Sequence, residues 1–187
     1  MFWQRRSSIR RRWVRTVADE AFAVWITGLP ASGKSTVSKA LAAELRARGI
    51  SVEVLESDEL RKVLTPRPRY DETEREMFYA QMAFIGALLV RHGVAVIFDA
   101  TANKRMYRDQ ARRQIPRFLE VYVDTPLEVC MRRDPKGIYR HSSGNVPGLQ
   151  VTYEPPLDPD LVIHGDREKP EDAARRIVEK LTGAASV

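Results

Sequence analysis

Cysteine is almost absent from this chain of 187 residues, which contains only Cys130. A single cysteine excludes an internal disulfide and is typical of a reducing compartment, so we expect a cytoplasmic protein. Long apolar runs are absent too. The longest lies near Phe84 to Val90, is closed by Arg91, and is too short to span a bilayer. The length predicts one domain, large enough to bury a real core.

Clustered metal ligands are absent as well. His92, His141 and His164 are isolated and lack metal-ligand spacing, so we interpret them as structural or surface residues. No Cys/His cluster indicates zinc, and no Ser–His–Asp set can be argued. The sequence also lacks an Asn/Thr-Lys-x-Asp segment at a strand end, which disfavours a GTPase.

Positive charge is concentrated at one end of the chain, whose formal net charge is +6. Six arginines precede the first acidic residue, Asp19, and the other 25 basic residues balance the 25 acidic ones. We predict a basic arm over residues 1–19 and a globular domain over residues 20–187. The arm is interpreted as a solvated extension. The alternatives are a contact with nucleic acid or an anionic membrane, an organelle transit peptide, or packing against a second subunit of a homodimer.

The segment from Gly28 to Thr36, GLPASGKST, fits the pattern G-x-x-x-x-G-K-[ST]. An apolar strand over residues 22–27 precedes it, and residues 37–48 follow with helical spacing. Glycines let backbone amides surround an anion, and the helix N-terminus adds its dipole. We predict that Lys34 reaches the β- and γ-phosphates and that Ser35 ligates Mg²⁺, so ATP and Mg²⁺ are the expected cofactors.

Strand and helix patterns alternate along the rest of the chain. The predicted strands span residues 22–27, 51–55, 94–98, 118–123 and 161–163; the predicted helices span residues 37–48, 58–64, 72–92, 104–115, 126–133 and 170–181. The helix over 72–92 is apolar almost all round, so we expect it to be buried. Such alternation predicts an α/β fold, a parallel sheet with helices on both faces that binds ligands at the carboxyl ends of its strands.

Two aspartates follow predicted strands at that edge. Asp58 is a candidate to accept a hydroxyl proton or hold a Mg²⁺ water, and it also fits an N-cap of the helix that it opens. Asp99 is a candidate to lie near Mg²⁺, and the alternative is that it caps a turn.

Arginines are the natural partners of phosphoryl oxygens, because the guanidinium fork matches them. Arg61, Arg75, Arg105 and Arg108 flank one edge of the predicted sheet, although each alone is typical of a solvated surface. Residues 134–158 follow with little periodicity and a cluster of positive charge at their start. We predict a lid over about residues 134–158 that closes on the triphosphate; the alternative is a plain surface loop.

From Val24 to about Leu181 the chain resembles the adenylylsulfate kinases, which phosphorylate adenosine 5′-phosphosulfate (APS) at its ribose 3′-hydroxyl. The resemblance rests on residues 120–130 (EVYVDTPLEVC), 133–139 (RDPKGIY) and 153–156 (YEPP). It implies a nucleoside-monophosphate-kinase type of P-loop fold with five parallel strands. By position, Asp58 matches the second aspartate of the family's Asp-Gly-Asp turn, its base or metal group.

The resemblance also implies roles on the acceptor side. Arg61 and Arg75 match arginines that hold the phosphosulfate, Tyr70 matches an aromatic that stacks on adenine, and Arg105 matches the arginine of a Ser-Pro-x-Arg segment. The departures fall on this side too: they are Glu56-Ser57 for Asp-Gly, Phe78 for an asparagine, Ala102 for the serine, and Val146 for a second aromatic.

The resulting hypothesis is an ATP- and Mg²⁺-dependent kinase that converts APS to its 3′-phosphate (PAPS), with a small anionic molecule as partner. Lys34 and Asp58 are the predicted catalytic residues, and Ser35, Asp58 and Asp99 the predicted metal-binding residues. The predicted nucleotide-binding residues are Gly28, Leu29, Pro30, Ala31, Ser32, Gly33, Lys34, Ser35, Thr36 and Arg133. The predicted substrate-binding residues are Asp58, Arg61, Tyr70, Arg75, Thr101, Arg105 and Lys136.

Two alternatives stay open. The Asp99-Ala100-Thr101 turn resembles that of other small P-loop kinases, including those for polynucleotide 5′-hydroxyls. With Phe78, Val146 and the basic arm, it favours a sister kinase for another anionic metabolite or a nucleic-acid 5′ end. The second alternative is a non-catalytic nucleotide-binding regulator, which the presence of Lys34 and Asp58 disfavours.

Overall fold

The structure, a computed structural model, describes residues 21–140 and 145–183. The predicted basic arm over residues 1–19 lies outside the described residues, as do His141 and the last four residues of the chain. Among the described residues, no helix combines the length and the apolar character that crossing a membrane requires.

Five parallel strands form one sheet in the order β2-β3-β1-β4-β5. This confirms the predicted α/β fold with a five-stranded parallel sheet. The strands are β1 (Ala23–Thr27), β2 (Val52–Glu56), β3 (Ala95–Asp99), β4 (Phe118–Asp124) and β5 (Leu161–His164). The helices are α1 (Lys34–Ala47), α2 (Ser57–Leu64), α3 (Glu72–Arg91), α4 (Arg105–Gln114), α5 (Leu127–Arg133) and α6 (Pro170–Thr182).

The central strand β1 explains why helices cover both faces of the sheet. All five of its residues are buried, and successive side chains of a strand point to opposite faces. Val24 and Ile26 pack in one core with residues of α1 and α6. Ala23 and Trp25 pack in the other core with residues of α3 and α4. The carboxyl end of β1 therefore emerges between two helical layers.

One element boundary and the burial of one helix differ from the sequence-based expectation. Strand β2 ends at Glu56 and α2 begins at Ser57, so no separate turn precedes Asp58. Helix α3 is not buried all round, which corrects the prediction. Met77, Phe84 and Leu88 are exposed, because α3 lies in an outer layer and turns only one face toward the sheet.

Gly86 of α3 lies directly over Phe98, and a side chain there has no room. A Cβ at this position would lie 2.1 Å from Phe98 Cζ, and Phe98 is itself stacked on Trp25 with ring centroids 4.6 Å apart. We expect Gly86→Ala to lower the free energy of unfolding by about 1–3 kcal/mol from overpacking. In an exposed helix the same change would stabilise by up to about 1 kcal/mol.

Urea denaturation measures this effect. In a Phe98→Leu background the obstruction is relieved, so Gly86→Ala should cost much less there. A Gly86→Ala variant more stable than the parent chain would contradict the packing described here.

Candidate active site

A cavity of about 820 Å³ opens at the carboxyl edge of the sheet, where β1, β2 and β3 end. Its wall on one side is the segment between β1 and α1. The opposite wall comes from α2, the start of α3 and residues 145–147, and a third side comes from residues 163–170. The cavity is therefore long enough to hold two ligand groups side by side.

The phosphate loop, residues 28–36, follows β1 and runs directly into α1. Gly33 precedes the helix with φ +107°, a left-handed conformation that suits glycine. A Cβ on Gly28 would lie 2.5 Å from the carbonyl oxygen of Val123, so the loop packs tightly on β4. These constraints bring the first amides of α1 to the cavity, where helix N-termini favour anions.

Lys34 begins α1 and is only 8% exposed. Its Nζ donates a 2.7 Å hydrogen bond to the carbonyl oxygen of Leu29 within the same loop. Burial lowers the pKa of Lys34, and the nearby carboxylate of Asp99 acts in the opposite direction. A triphosphate in the cavity would supply the negative charge that this buried ammonium lacks.

Asp99 ends β3 and is 4% exposed. Burial raises its pKa, whereas the charge of Lys34 and a hydrogen bond from Ser35 lower it. A carboxylate beside a hydroxyl, next to phosphate-binding amides, is a donor set that suits Mg²⁺. The Ser32 hydroxyl of the same loop is buried and has no hydrogen-bond partner among the described residues. The site thus fits a magnesium–triphosphate.

Asp58 lies on the first turn of α2 and forms an ion pair with Lys136 across the cavity, at 2.6 Å. Lys136 Nζ is also 3.7 Å from Glu56, the last residue of β2. The hydrogen bond to Asp58 is the main reason that the pKa of Lys136 is raised. All three side chains are partly exposed, so ligands can rearrange the pair at small cost.

The half of the cavity formed by α2, the start of α3 and the loop between them is called the acceptor half here. It contains an aromatic ring close to two guanidinium groups. Tyr70 has φ +57°, and its ring centroid is 5.0 Å from Arg61 Cζ and 5.8 Å from Arg75 Cζ. Arg75 donates to the carbonyl oxygens of Tyr70 at 2.9 Å and Asn145 at 2.8 Å. Arg61 forms a 2.9 Å ion pair with Glu74. Thr101, at the end of β3, also lines the cavity.

Not every predicted residue reaches this cavity. Gly28, Leu29 and Ser32 shape the phosphate loop, but they are not among the residues that line the cavity. The prediction that Arg105 binds substrate lacks structural support, because its Nε donates to the carbonyl oxygen of Pro155 at 2.8 Å and it does not line the cavity. Arg108 is 1% exposed and pairs with Glu120, so it is structural.

The segment predicted as a lid packs on the phosphate loop. The Tyr139 hydroxyl donates to the carbonyl oxygen of Pro30 at 2.8 Å. Val146, which replaces an aromatic of the resembling family, is buried in a small cluster with Cys130 and Tyr139. Arg133, at the end of α5, and Lys136 both line the cavity. Tyr139 and Val146 of this segment therefore cover the phosphate loop, where they pack with Leu29 and Ala31.

Two features of the site, one that lines the cavity and one that does not, were not predicted from the sequence. Residues 165–170, which directly follow β5, form one end of the cavity. Their position after a parallel strand was the available signal, because ligands bind at such ends. Glu74 was also missed: it is an acid in the first turn of α3, which is ordinary in sequence, but its side chain is buried against Arg61.

Comparisons with known proteins agree with this geometry. The family model described as adenylylsulphate kinase matches residues 20–164. The chain is 39% identical over 163 residues to an adenylyl-sulfate kinase of Microcystis aeruginosa, covering 85% of this chain and 90% of that protein. It is 37% identical over 165 residues to a probable adenylyl-sulfate kinase of Pyrococcus abyssi, covering 86% and 95% of the two chains. A solved APS kinase of Mycobacterium tuberculosis, in complex with AMPPNP and APS, superposes with a TM-score of 0.80 at 33% identity, covering 87% and 98%.

Asp134 fixes the first turn of the lid segment and provides a pH-dependent test. Its buried carboxylate accepts hydrogen bonds from the backbone N–H groups of Tyr139 and Arg140 and from Arg140 Nε. Burial acts to raise the pKa of Asp134, but these hydrogen bonds outweigh it and lower the pKa below its ordinary value.

A lowered pKa in the folded state means that the carboxylate stabilises the protein at neutral pH. This stabilisation is lost as pH falls below about 4 and through the folded pKa. We expect Asp134→Asn to melt below the parent chain at pH 7, with a difference that narrows as the pH approaches 3. Asp109→Asn, at an exposed position of α4, is the matched control. A difference that is constant across this range would contradict the assignment.

Proposed function

Because the chain belongs to the adenylylsulfate kinase family, we propose that it transfers the γ-phosphoryl group of ATP to the 3′-hydroxyl of APS, which yields PAPS and ADP. One observation carries the proposal: a single cavity joins Lys34 and Ser35 of the phosphate loop to Arg61, Arg75 and Tyr70. Phosphoryl transfer depends chiefly on positioning and charge stabilisation, and this cavity offers both.

The nucleotide half binds and orients ATP. The amides at the start of α1 face its β- and γ-phosphates, and Lys34 leaves the carbonyl oxygen of Leu29 to bind their oxygens. Ser35 and Asp99 would hold Mg²⁺, which would supply positive charge against the triphosphate when bound. Arg133 and residues 165–170 line the end of the cavity beyond the loop, where the nucleoside is held.

Asp58 accepts the proton of the acceptor hydroxyl. The oxygen of that hydroxyl forms a bond to the γ-phosphorus as the bond from this phosphorus to the β,γ-bridging oxygen breaks. In the structure Asp58 is held by Lys136 at 2.6 Å. The arriving anions compete for Lys136, which frees the carboxylate for this role and places the ammonium group near the developing negative charge.

The acceptor half recognises an anionic nucleotide. Arg61 and Arg75 bind the phosphosulfate, Tyr70 stacks on the adenine, and Thr101 contacts the acceptor beside the end of β3. Arg105 is left out of this set because, unlike Arg61 and Arg75, it does not line the cavity. Residues 134–158 act as the lid that excludes water, a role that the packing of Tyr139 on the phosphate loop supports. We place this activity in the cytoplasm, in sulfate activation.

A second acceptor class is favoured by two side chains of the same half. Phe78 lies against Arg61, with the ring centroid 3.9 Å from Cζ, where related kinases carry an amide. Val146 lines the same cavity with an aliphatic side chain instead of a second aromatic ring. Losing one stacking partner costs about 1–3 kcal/mol of base binding, which would favour an anionic acceptor that depends less on adenine.

ADP release over a panel of acceptors decides between these functions. We expect turnover with APS to exceed turnover with a nucleoside, a sugar acid or a 5′-hydroxyl oligonucleotide, because only APS offers both an adenine and a phosphosulfate. Lys34→Ala is the negative control, and its rate of ADP release should be at least about 100-fold lower than that of the parent chain. Lys39→Ala, at an exposed position of the same helix, should retain normal turnover. Faster turnover with another acceptor would reassign the substrate.

The proposed role of Asp58 makes a separate prediction. Asp58→Asn should lower kcat by about 100-fold or more, because the amide cannot accept the proton, while the KM for ATP stays within about threefold. Glu59→Gln, at an exposed neighbouring position, is the matched control and should leave kcat unchanged. A large rise in the KM for ATP with little change in kcat would instead assign Asp58 to the metal.

A further inference from the structure

We propose that Glu74 is a positioning residue for the acceptor, a role that rests on the proposed function because Arg61 and Tyr70 are its acceptor-binding groups. Glu74 lies in the first turn of α3 and does not line the cavity. Its carboxylate joins Arg61 of α2 to the loop that carries Tyr70. One buried side chain thereby fixes two groups that face the acceptor.

Glu74 and Arg61 form an ion pair that is buried. Glu74 is 5% exposed and Arg61 is 7% exposed, and Arg61 Nη1 lies 2.9 Å from Glu74 Oε1. Desolvating two charges is costly, so a buried ion pair is weak evidence for a gain in stability. An acid that served only the dipole of α3 would do so equally well in solvent, as Glu72 does in the same turn. The burial of Glu74 therefore indicates that its carboxylate serves to hold the Arg61 guanidinium.

The second carboxylate oxygen of Glu74 contacts the loop between α2 and α3. It accepts a hydrogen bond from the backbone N–H of Arg69, the residue before Tyr70. Asp71 then caps α3 by accepting the backbone N–H of Glu74 at 2.9 Å. Because Tyr70 has a left-handed backbone and a 40% exposed side chain, its ring depends on such neighbouring contacts for its position.

The orientation of the Arg61 guanidinium follows from three contacts. Its Nη1 donates to Glu74 and, at 3.4 Å, to the Thr65 hydroxyl. The buried ring of Phe78 covers one face of the group, with its centroid 3.9 Å from Cζ. Among the described residues, neither Nε nor Nη2 of Arg61 donates to a protein group, and Arg61 lines the cavity. Glu74 thus holds one edge of the guanidinium and leaves the other edge for an anion.

This arrangement also gives a role to Phe78, which is fully buried and does not itself line the cavity. An aromatic ring cannot donate a hydrogen bond to an anion, but it limits the planes that the Arg61 guanidinium can adopt. With Glu74 at its edge and Phe78 at its face, the guanidinium is confined in both directions. Acceptor binding should therefore depend on Glu74 through Arg61, and nucleotide binding should not.

Calorimetric titration tests this dependence. APS is titrated into the protein in the presence of Mg·AMPPNP, which prevents turnover, for the parent chain, Glu74→Gln, Arg61→Ala and the double variant. We expect Glu74→Gln to weaken APS binding about tenfold or more, the scale of a lost charge-assisted hydrogen bond, and to change AMPPNP binding less than twofold. The double variant should lose clearly less APS affinity than the sum of the two single losses, because the contact with Arg61 is shared and only the contact with the Tyr70 loop is independent of it.

Two further variants keep the test independent of folding. Glu76→Gln, at an exposed position of the same helix, should bind APS normally. If Glu74→Gln does not fold, Glu74→Asp retains the charge but withdraws it from Arg61, and it should lose APS affinity selectively. Unchanged APS binding, equal losses for APS and AMPPNP, or additive losses in the double variant would overturn this inference alone. A parent chain that does not bind APS would overturn the proposed function and this inference with it.

Discussion

A buried ammonium group beside a buried carboxylate is the constraint on which the site depends. Lys34 begins α1 and Asp99 ends β3. Burial lowers the pKa of Lys34 and raises the pKa of Asp99, so it favours the neutral form of each group. The fold fixes both because β1 pairs with β3 from Ala23 to Ile26, and Ile26 is paired with Asp99 itself. A magnesium–triphosphate would relieve both shifts, since it brings phosphate oxygens to the lysine and a cation to the carboxylate.

The same edge of the sheet connects nucleotide binding to acceptor binding. Lys136 comes from the lid segment and pairs with Asp58 of α2, while Tyr139 of that segment holds the phosphate loop through Pro30. A ligand that draws Lys136 away from Asp58 therefore acts on the segment that covers the nucleotide. The exposed ion pair is weak enough to break, whereas the buried Tyr139 contact is stable. Lys136 can therefore move when ligands bind, while Tyr139 keeps the lid segment attached to the phosphate loop.

Much of the fold followed from local sequence patterns, whereas the acceptor half did not. The pattern of a strand, a glycine-rich loop and a helix predicted the position of Lys34, because all of its determinants lie within about fifteen residues. The role of Glu74 depends on Arg61, thirteen residues away across a loop, and no local pattern indicates that contact. Arg108 resembled a surface arginine in sequence, but the approach of Glu120 from β4 buries it in an ion pair. Contacts of this kind arise from tertiary packing.

The central claim is that one cavity brings the γ-phosphoryl group of ATP to the ribose of an adenine nucleotide held by Arg61 and Arg75. Phosphorus NMR of the reaction with Mg·ATP and APS measures the outcome directly. The account predicts a new phosphomonoester resonance, coupled to the ribose 3′ proton, that grows in step with ADP. Formation of ADP and inorganic phosphate without that resonance would contradict it.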